Sequence, residues 1–281
     1  MFKSIVEWMK KNPLPTFFGL TFVMAWSIWL PVGLLAPKYF LLAVIPGAWA
    51  PSLASCLLTW LTDGKQGLRQ FVKRVFHWRV GFQWYLIVLF SIGFIAYLAQ
   101  GLNMLLFGGH PIALQLPAGI PKEGWVVALP IVFVVNIFLG GPLAEDIGWR
   151  GYALPKLREN MDVFSASLII GSVWVLWHLP FFWIPEGRSA VGGIPVLWFG
   201  LMTVAWSVLF AWVYVNTESI LMPVLFHAAV NTTLGTLGVL GQSDGSLTSV
   251  MLNTLLTWVV VGVIVLIAGK DLTFNKKASP V

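Results

Sequence analysis

Charge is scarce in this chain. Only 10% of its 281 residues are Asp, Glu, Lys or Arg, against about a quarter in an ordinary soluble domain, which excludes a water-soluble globular protein. Cysteine is scarcer still. Cys56 stands alone, so an intramolecular disulfide, a CxxC redox pair and a cysteine-cage metal site are all excluded. The 17 bases outnumber the 11 acids, yet they form no basic tract interleaved with aromatics, and a nucleic-acid partner is excluded with them. Low-complexity segments, internal repeats and long hydrophilic stretches are absent, as are GxSxG and HExxH motifs.

What the chain has in abundance is apolar bulk: 58% hydrophobic residues, 16 Trp and 20 Phe, with a mean hydropathy of +0.84. Apolar runs near the roughly 20 residues that a bilayer requires lie at 14–35, 40–61, 83–107, 124–146, 163–185, 195–216, 219–240 and 248–269. The reading is an all-α polytopic transmembrane bundle of about eight spans, one integral membrane domain over residues 1–281. The first run follows Lys3, Lys10 and Lys11, but it is too long for a signal sequence and lacks a small-residue cleavage site, so it reads as a retained helix.

Lys and Arg alternate in abundance from one inter-run segment to the next. Assigning the N-terminus to the cytoplasm puts 14 of the 17 bases there, in the N-terminus, at 65–79, at 150–158 and from Lys270 onward, and leaves Lys38, Lys122 and Arg188 opposite. Positively charged loops stay cytoplasmic. Both termini are therefore expected inside, in the plasma membrane if the source is prokaryotic. Between the second and third spans, residues 67–80 set Leu68, Phe71, Val72 and Val75 against Arg69, Lys73 and Arg74 at helical spacing, which predicts an interfacial helix on an anionic leaflet. The tail after Lys270 reads as disordered.

An ionisable group inside hydrocarbon is costly and is a functional hypothesis by default. Few qualify: Glu145 and Asp146 in the fourth run, His178 in the fifth and His227 in the seventh. Asp146 and Arg150 stand at i and i+4 with the acid first, the favourable order for a structural ion pair. Glu145, about 100° away on a helix, is free to face a cavity. His227 and Asn231 share one helix face, either aimed at a common target or hydrogen-bonded between helices. A carboxylate and an imidazole are the components of water activation, and a second imidazole with an amide can meet an oxyanion. Without a serine or cysteine motif, water is the expected nucleophile.

Three segments then acquire a pattern: Glu145-Asp146-Ile147-Gly148-Trp149-Arg150, Trp174-Val175-Leu176-Trp177-His178, and His227 to Asn231. In order and separation they resemble the EExxxR, FxxxH and HxxxN motifs of the CPBP family, the intramembrane CAAX proteases and bacteriocin-processing enzymes that include the Ras-converting CAAX endopeptidases. The resemblance covers about 120–235. It implies a membrane endopeptidase in which Glu145 and His178 activate water, His227 and Asn231 stabilise the oxyanion, and Asp146, Arg150 and Trp174 support them, in a cavity open to the cytoplasm. Asp146 replaces the family's second Glu and Trp174 its Phe. The implied substrates are prenylated CAAX proteins or, in prokaryotes, peptides, bacteriocin precursors and membrane-protein tails; membrane lipid is the other partner.

Zinc stays open, since Glu145, His178 and His227 could supply the three protein ligands of a catalytic site. The lack of HExxH, and Asn231 as a poor ligand, favour metal-free glutamate catalysis with no cofactor. Two other readings use the same residues: a catalytically silent scaffold or bacteriocin-immunity role, and a proton-coupled transporter. The depths of the groups must also converge. Either the fifth helix begins well inside the cytoplasm, or Gly140-Gly141-Pro142 interrupts the fourth span and sets Glu145 deeper.

Overall fold

A computed structural model of the chain describes residues 2–109, 120–236 and 247–274, and every regular element among them is helical. In chain order these are α1 (Phe2–Lys11), α2 (Pro13–Leu35), α3 (Phe40–Ala48), α4 (Ala50–Val75), α5 (Phe82–Phe107), α6 (Trp125–Leu139), α7 (Pro142–Gly148), α8 (Leu154–Arg158), α9 (Val163–Trp177), α10 (Pro180–Trp183), α11 (Gly187–Ala190), α12 (Val196–Thr217), α13 (Leu221–Asn231) and α14 (Thr248–Ala268). A π turn, Trp149–Ala153, joins α7 to α8, and another, Thr232–Thr236, follows α13.

Among the described residues, six helical stretches are long and apolar enough to cross a membrane, and the pair Trp125–Leu139 and Pro142–Arg158, bent by 44°, makes a seventh if counted as one span. The seventh apolar run, expected at 219–240, is a shorter helix, Leu221–Gly235. Asn231, Thr232 and Thr233 interrupt its apolar character, and residues 237–240 lie outside the described ones, as do the loop residues His110 and Asp244 and the tail bases Lys276 and Lys277.

Alternate connections meet at one end of the bundle. The Ile220 amide donates to the Arg74 carbonyl at 3.1 Å and the Phe164 amide to that of Lys270 at 2.8 Å, while Asn216 Nδ2 donates to Leu272 O at 2.7 Å. Arg74 itself donates to the Tyr214 hydroxyl at 3.0 Å and to Gly151 O at 3.3 Å. The segments after the second, fourth, sixth and last apolar runs thus share one end, as strict alternation of the spans requires. It is also the end where the bases concentrate.

The amphipathic segment expected at 67–80 is the distal arm of α4. Gly64, at φ 68° and ψ −167°, breaks the helix between its apolar and basic arms, and the basic arm stops at Val75. Lys65, Arg69 and Lys73 are exposed and Phe71 and Val75 buried, as the spacing predicts, whereas Val72, expected on the apolar face, is exposed. Arg74 departs as well, turning inward to tie α4 to α12 and the π turn. The tail also differs from its expectation: residues 271–274 are placed against α12, with Phe274 6.3 Å from Trp212, while residues 275–281 lie outside the described ones.

Small residues set the closest helix contacts, as in membranes, where packing rather than water exclusion drives association. Ser207 of α12 donates to Ser167 O of α9 at 2.9 Å, and a methyl on Gly171 would come within 2.8 Å of the Val204 Cα. Gly148 lies so close to Pro51 of α4 that a Cβ there would meet the Pro51 carbonyl carbon and oxygen at 2.6 Å. Behind these contacts, Phe17, Trp149, Trp177 and Trp29 form a column of rings with centroids 4.6 to 5.9 Å apart, joining α2 to α9 through the first π turn.

Gly148→Ala should therefore push α7 from α4 and destabilise the fold by about 1–3 kcal/mol. Gly93→Ala, inside α5 with nothing within 4 Å of the added methyl, should gain up to about 1 kcal/mol from helix propensity. Thermal unfolding in detergent separates the two; equal midpoints would refute the packing argument.

Candidate active site

The site begins at a break in the fourth apolar run. After α6 ends at Leu139, Gly141 adopts φ 102° and ψ −34°, a conformation that side-chain-bearing residues avoid. Pro142 then opens α7, where its missing N–H costs nothing. The first turn closes with the Glu145 amide donating to Gly141 O at 2.8 Å. Of the two ways in which the depths could converge, the chain uses this one: the Gly-Gly-Pro break places Glu145 inside the bundle.

Glu145 is held from both sides. One carboxylate oxygen lies against Gly141 where a Cβ would collide with it, and the other accepts a hydrogen bond from Trp174 Nε1 at 2.6 Å. Trp174, expected to serve as an aromatic wall, is thus also a hydrogen-bond donor. Its sequence signal was weak, because the family pattern carries Phe there and Phe donates nothing.

Asp146 makes two contacts. Its Oδ1 accepts from Arg150 Nη1 at 2.7 Å, the i to i+4 pair expected from spacing, and its Oδ2 accepts from His227 Nδ1 at 2.9 Å. Acid and guanidinium are 0% and 1% exposed. The Arg150 plane lies between Trp174 and Phe210, 4.6 and 4.8 Å from their centroids, and its Nε and Nη2 have no hydrogen-bond acceptor among the described residues. Aromatic faces therefore do much of the work of accommodating this buried cation.

Both histidines are oriented through Nδ1. His178, capping the C-terminal end of α9, bonds through Nδ1 to Trp174 O at 2.8 Å; a carbonyl only accepts, so that nitrogen carries the proton and a neutral ring has its lone pair on Nε2. Its ring is flanked by Trp177, Phe181 and Phe199 at 4.9 to 5.3 Å. His227 is fixed in the same sense by Asp146, leaving Nε2 as its unengaged nitrogen. Asn231 does not bond His227: its Nδ2 donates to Gly140 O at 2.8 Å, bracing the helix break. Asn136, which sequence reasoning passed over, adds a second brace by donating to Thr232 Oγ1 at 3.0 Å. Its signal was that of a polar residue in an apolar run.

Glu145, Trp174, His178, His227 and Asn231 line a single cavity of about 730 Å³ whose remaining wall is largely aromatic and aliphatic. Asp146 and Arg150 lie behind that wall. As for metal, among the described residues no three His, Cys, Asp or Glu side chains are grouped so as to hold an ion; Asp146 is committed to Arg150 and His227, and one oxygen of Glu145 to Trp174. The arrangement provides an acid–base carboxylate, an imidazole nitrogen and two polar groups on the facing helix, around a space large enough for a peptide segment.

Residues 127–233 match the family model described as type II CAAX prenyl endopeptidase Rce1-like. A curated CAAX prenyl protease 2 of Methanococcus maripaludis is 25% identical over 232 residues, covering 79% of this chain and 83% of that protein. The region matched by the family model contains every residue of the cavity's polar set.

Asp146→Asn should leave Arg150 without its counter-charge, and removing one partner of a buried pair costs about 3–5 kcal/mol. A fall of several degrees in the unfolding midpoint is expected, with Asp146→Glu, which restores the charge, largely retaining stability. A midpoint unchanged in Asp146→Asn would show that the aromatic sandwich alone sustains the guanidinium.

Proposed function

We propose that this chain, whose matches support membership of the CPBP/CAAX protease family, is an intramembrane endopeptidase that hydrolyses a peptide bond in the C-terminal or membrane-proximal part of a protein or peptide. The observation that carries the reading is the convergence of Glu145, His178, His227 and Asn231, from α7, α9 and α13, on one cavity. The whole chain is taken as one catalytic membrane unit, with residues of about 120–235 supplying the chemistry.

In the proposed reaction Glu145 removes a proton from a water that His178 Nε2 helps to hold. The resulting hydroxide adds to the substrate carbonyl carbon, and its C=O electrons move onto oxygen. The Asn231 amide and His227, its Nδ1–H held by Asp146 and a second proton on Nε2 facing the cavity, stabilise that oxyanion. As the tetrahedral centre collapses, the C–N bond breaks and the proton held by Glu145 passes to the departing nitrogen, leaving a carboxylic acid and an amine. Groups held in place before reaction need no reorganisation when charge develops. Trp174 contributes by fixing one carboxylate oxygen, so that the other is directed to water.

Catalysis is proposed to proceed without metal. Support comes from the donor set: the carboxylates are already engaged with Trp174, Arg150 and His227, and the fourth polar group of the site is an amide. An absolute requirement for zinc would demand rearrangement of these bonds.

The test is digestion of a broad peptide library, with and without farnesylated C-termini, by purified protein in detergent and read by mass spectrometry. Cleavage should fall by about 10²–10⁴-fold in Glu145→Gln, the range associated with losing a general acid–base, and by about 10²–10³-fold in Asn231→Ala, as for loss of one oxyanion donor. A zinc chelator should leave the rate unchanged. Undiminished cleavage by Glu145→Gln would sink the assignment of the base, and abolition by chelator would move Glu145, His178 and His227 into ligand roles.

A further inference from the structure

A second pocket, about 470 Å³ in volume, lies at the basic end of the bundle, apart from the catalytic cavity. Its charged lining is Lys73 and Arg74 from the distal arm of α4, Arg158 from the end of α8, and Glu218 from the turn after α12. His77 and Tyr214 complete its polar wall. Three bases thus share one pocket with a single acid. Among the described residues none of the three is ion-paired, the pairs being made by Lys10, Arg150, Lys156 and His227 instead. Like charges gathered without a counter-ion repel one another, so the pocket carries an electrostatic cost that a bound anion would relieve.

The pocket is held in shape by bonds between distant segments. Besides the Ile220 amide bond to Arg74 O described above, the Ser219 hydroxyl donates to His77 O, and the two fix the end of α4 against the α12–α13 turn. The Arg74 side chain is positioned as firmly. Nη1 donates to the Tyr214 hydroxyl at 3.0 Å, Nη2 donates to Gly151 O at 3.3 Å, and the guanidinium carbon lies 5.2 Å from the Phe71 ring centroid. Both acceptors are neutral, so the cation is oriented without being neutralised. The Tyr214 oxygen, accepting from Arg74, keeps its own proton to donate. Two guanidinium forks, a phenol and the point charge of Lys73 together match the donors that a phosphate recruits.

The surroundings indicate where such a phosphate comes from. Phe76, Trp78 and Phe82, in and beyond the segment that leaves α4, are exposed rings, and aromatic side chains of this kind collect at the level of lipid headgroups. A basic cluster at the end of a membrane helix is the usual setting for anionic headgroup binding. The volume also falls within the roughly 300–1,000 Å³ of small-molecule sites, room for more than a bare phosphate ion. We infer that this pocket is a specific site for the phosphate of an anionic phospholipid headgroup, engaged by Arg74, Arg158, Lys73 and the Tyr214 hydroxyl. The site is independent of the protease reading.

Titration of the full-length protein in an uncharged detergent with phosphatidylglycerol, read by native mass spectrometry, tests it. Wild type should retain the first phosphatidylglycerol about tenfold more tightly than phosphatidylcholine, the worth of one charge-assisted hydrogen bond. The double variant Lys73→Gln/Arg158→Gln leaves the Arg74 bonds intact and should lose about tenfold or more in retention on the same basis. Lys65→Gln, which removes an exposed base of the same arm outside the pocket, should bind as wild type does. Glu218→Gln should tighten binding by about fivefold, the effect of one charge near a lipid surface, a gain that misfolding cannot produce. Equal losses in Lys65→Gln and the pocket variant would reveal general attraction to a basic surface and overturn the site, as would equal retention of the two lipids. Inorganic phosphate added in equal amount should leave the lipid in place; displacement, or phosphate bound where no lipid is retained, overturns the lipid as its source.

Discussion

Asp146 is the group on which the catalytic centre is built. A carboxylate in the middle of a membrane bundle loses several kcal/mol of hydration, and here its two oxygens are used up by two different elements: Arg150, one turn along the same helical segment, and His227 across the interface on α13. The guanidinium would be equally costly alone, and the rings of Trp174 and Phe210 close over it. Because α7, α9, α12 and α13 each contribute a member, the full network forms only when all four are in register. The same network orients His227 and, through Trp174, holds Glu145. Fold and site therefore share a single electrostatic constraint.

That constraint operates only because the fourth run is broken. Had residues 124–146 formed one straight span, Glu145 would have sat near its end, too far from His178 to share a water molecule. Gly141 supplies the backbone conformation, Pro142 the new helix start, and Asn231 the hydrogen bond that holds the broken segment to α13. Asn231 is thus placed to act twice, as a brace through one N–H and as a polar group of the cavity. Its position one helical turn from His227 keeps both functions on one face.

Much of this was legible in the sequence for physical reasons that can be named. Apolar runs near bilayer length and the alternation of bases predicted the helices and the common end of their alternate connections. The cost of buried charge singled out Glu145, Asp146, His178 and His227 from a short inventory, and i to i+4 spacing predicted the Asp146–Arg150 pair. What stayed hidden depends on contacts between distant segments. The second bond of Asp146, the donor role of Trp174 and the inward turn of Arg74 carry no periodic signature, because each partner lies more than 25 residues away. Arg74 is instructive: on its own helix it belongs to an exposed basic face, and only Tyr214 and Gly151 reveal it as an internal strut.

The two ends of the bundle also divide the labour of the chain's scarce charges. Among the described residues, bases concentrate at one end, where Arg74 ties α4 to α12 and the first π turn, and no Lys or Arg side chain lines the cavity. Between them, Trp149, Phe210 and Phe226 make a dense aromatic partition around the Asp146–Arg150 pair. Such a partition keeps water from the basic end out of the charged network while leaving the cavity side of Glu145 free to be wetted. A hydrolytic site in a membrane needs water at one point and its exclusion everywhere else, and a chain with 10% charged residues meets that need by concentrating its buried charges on one side of an aromatic wall.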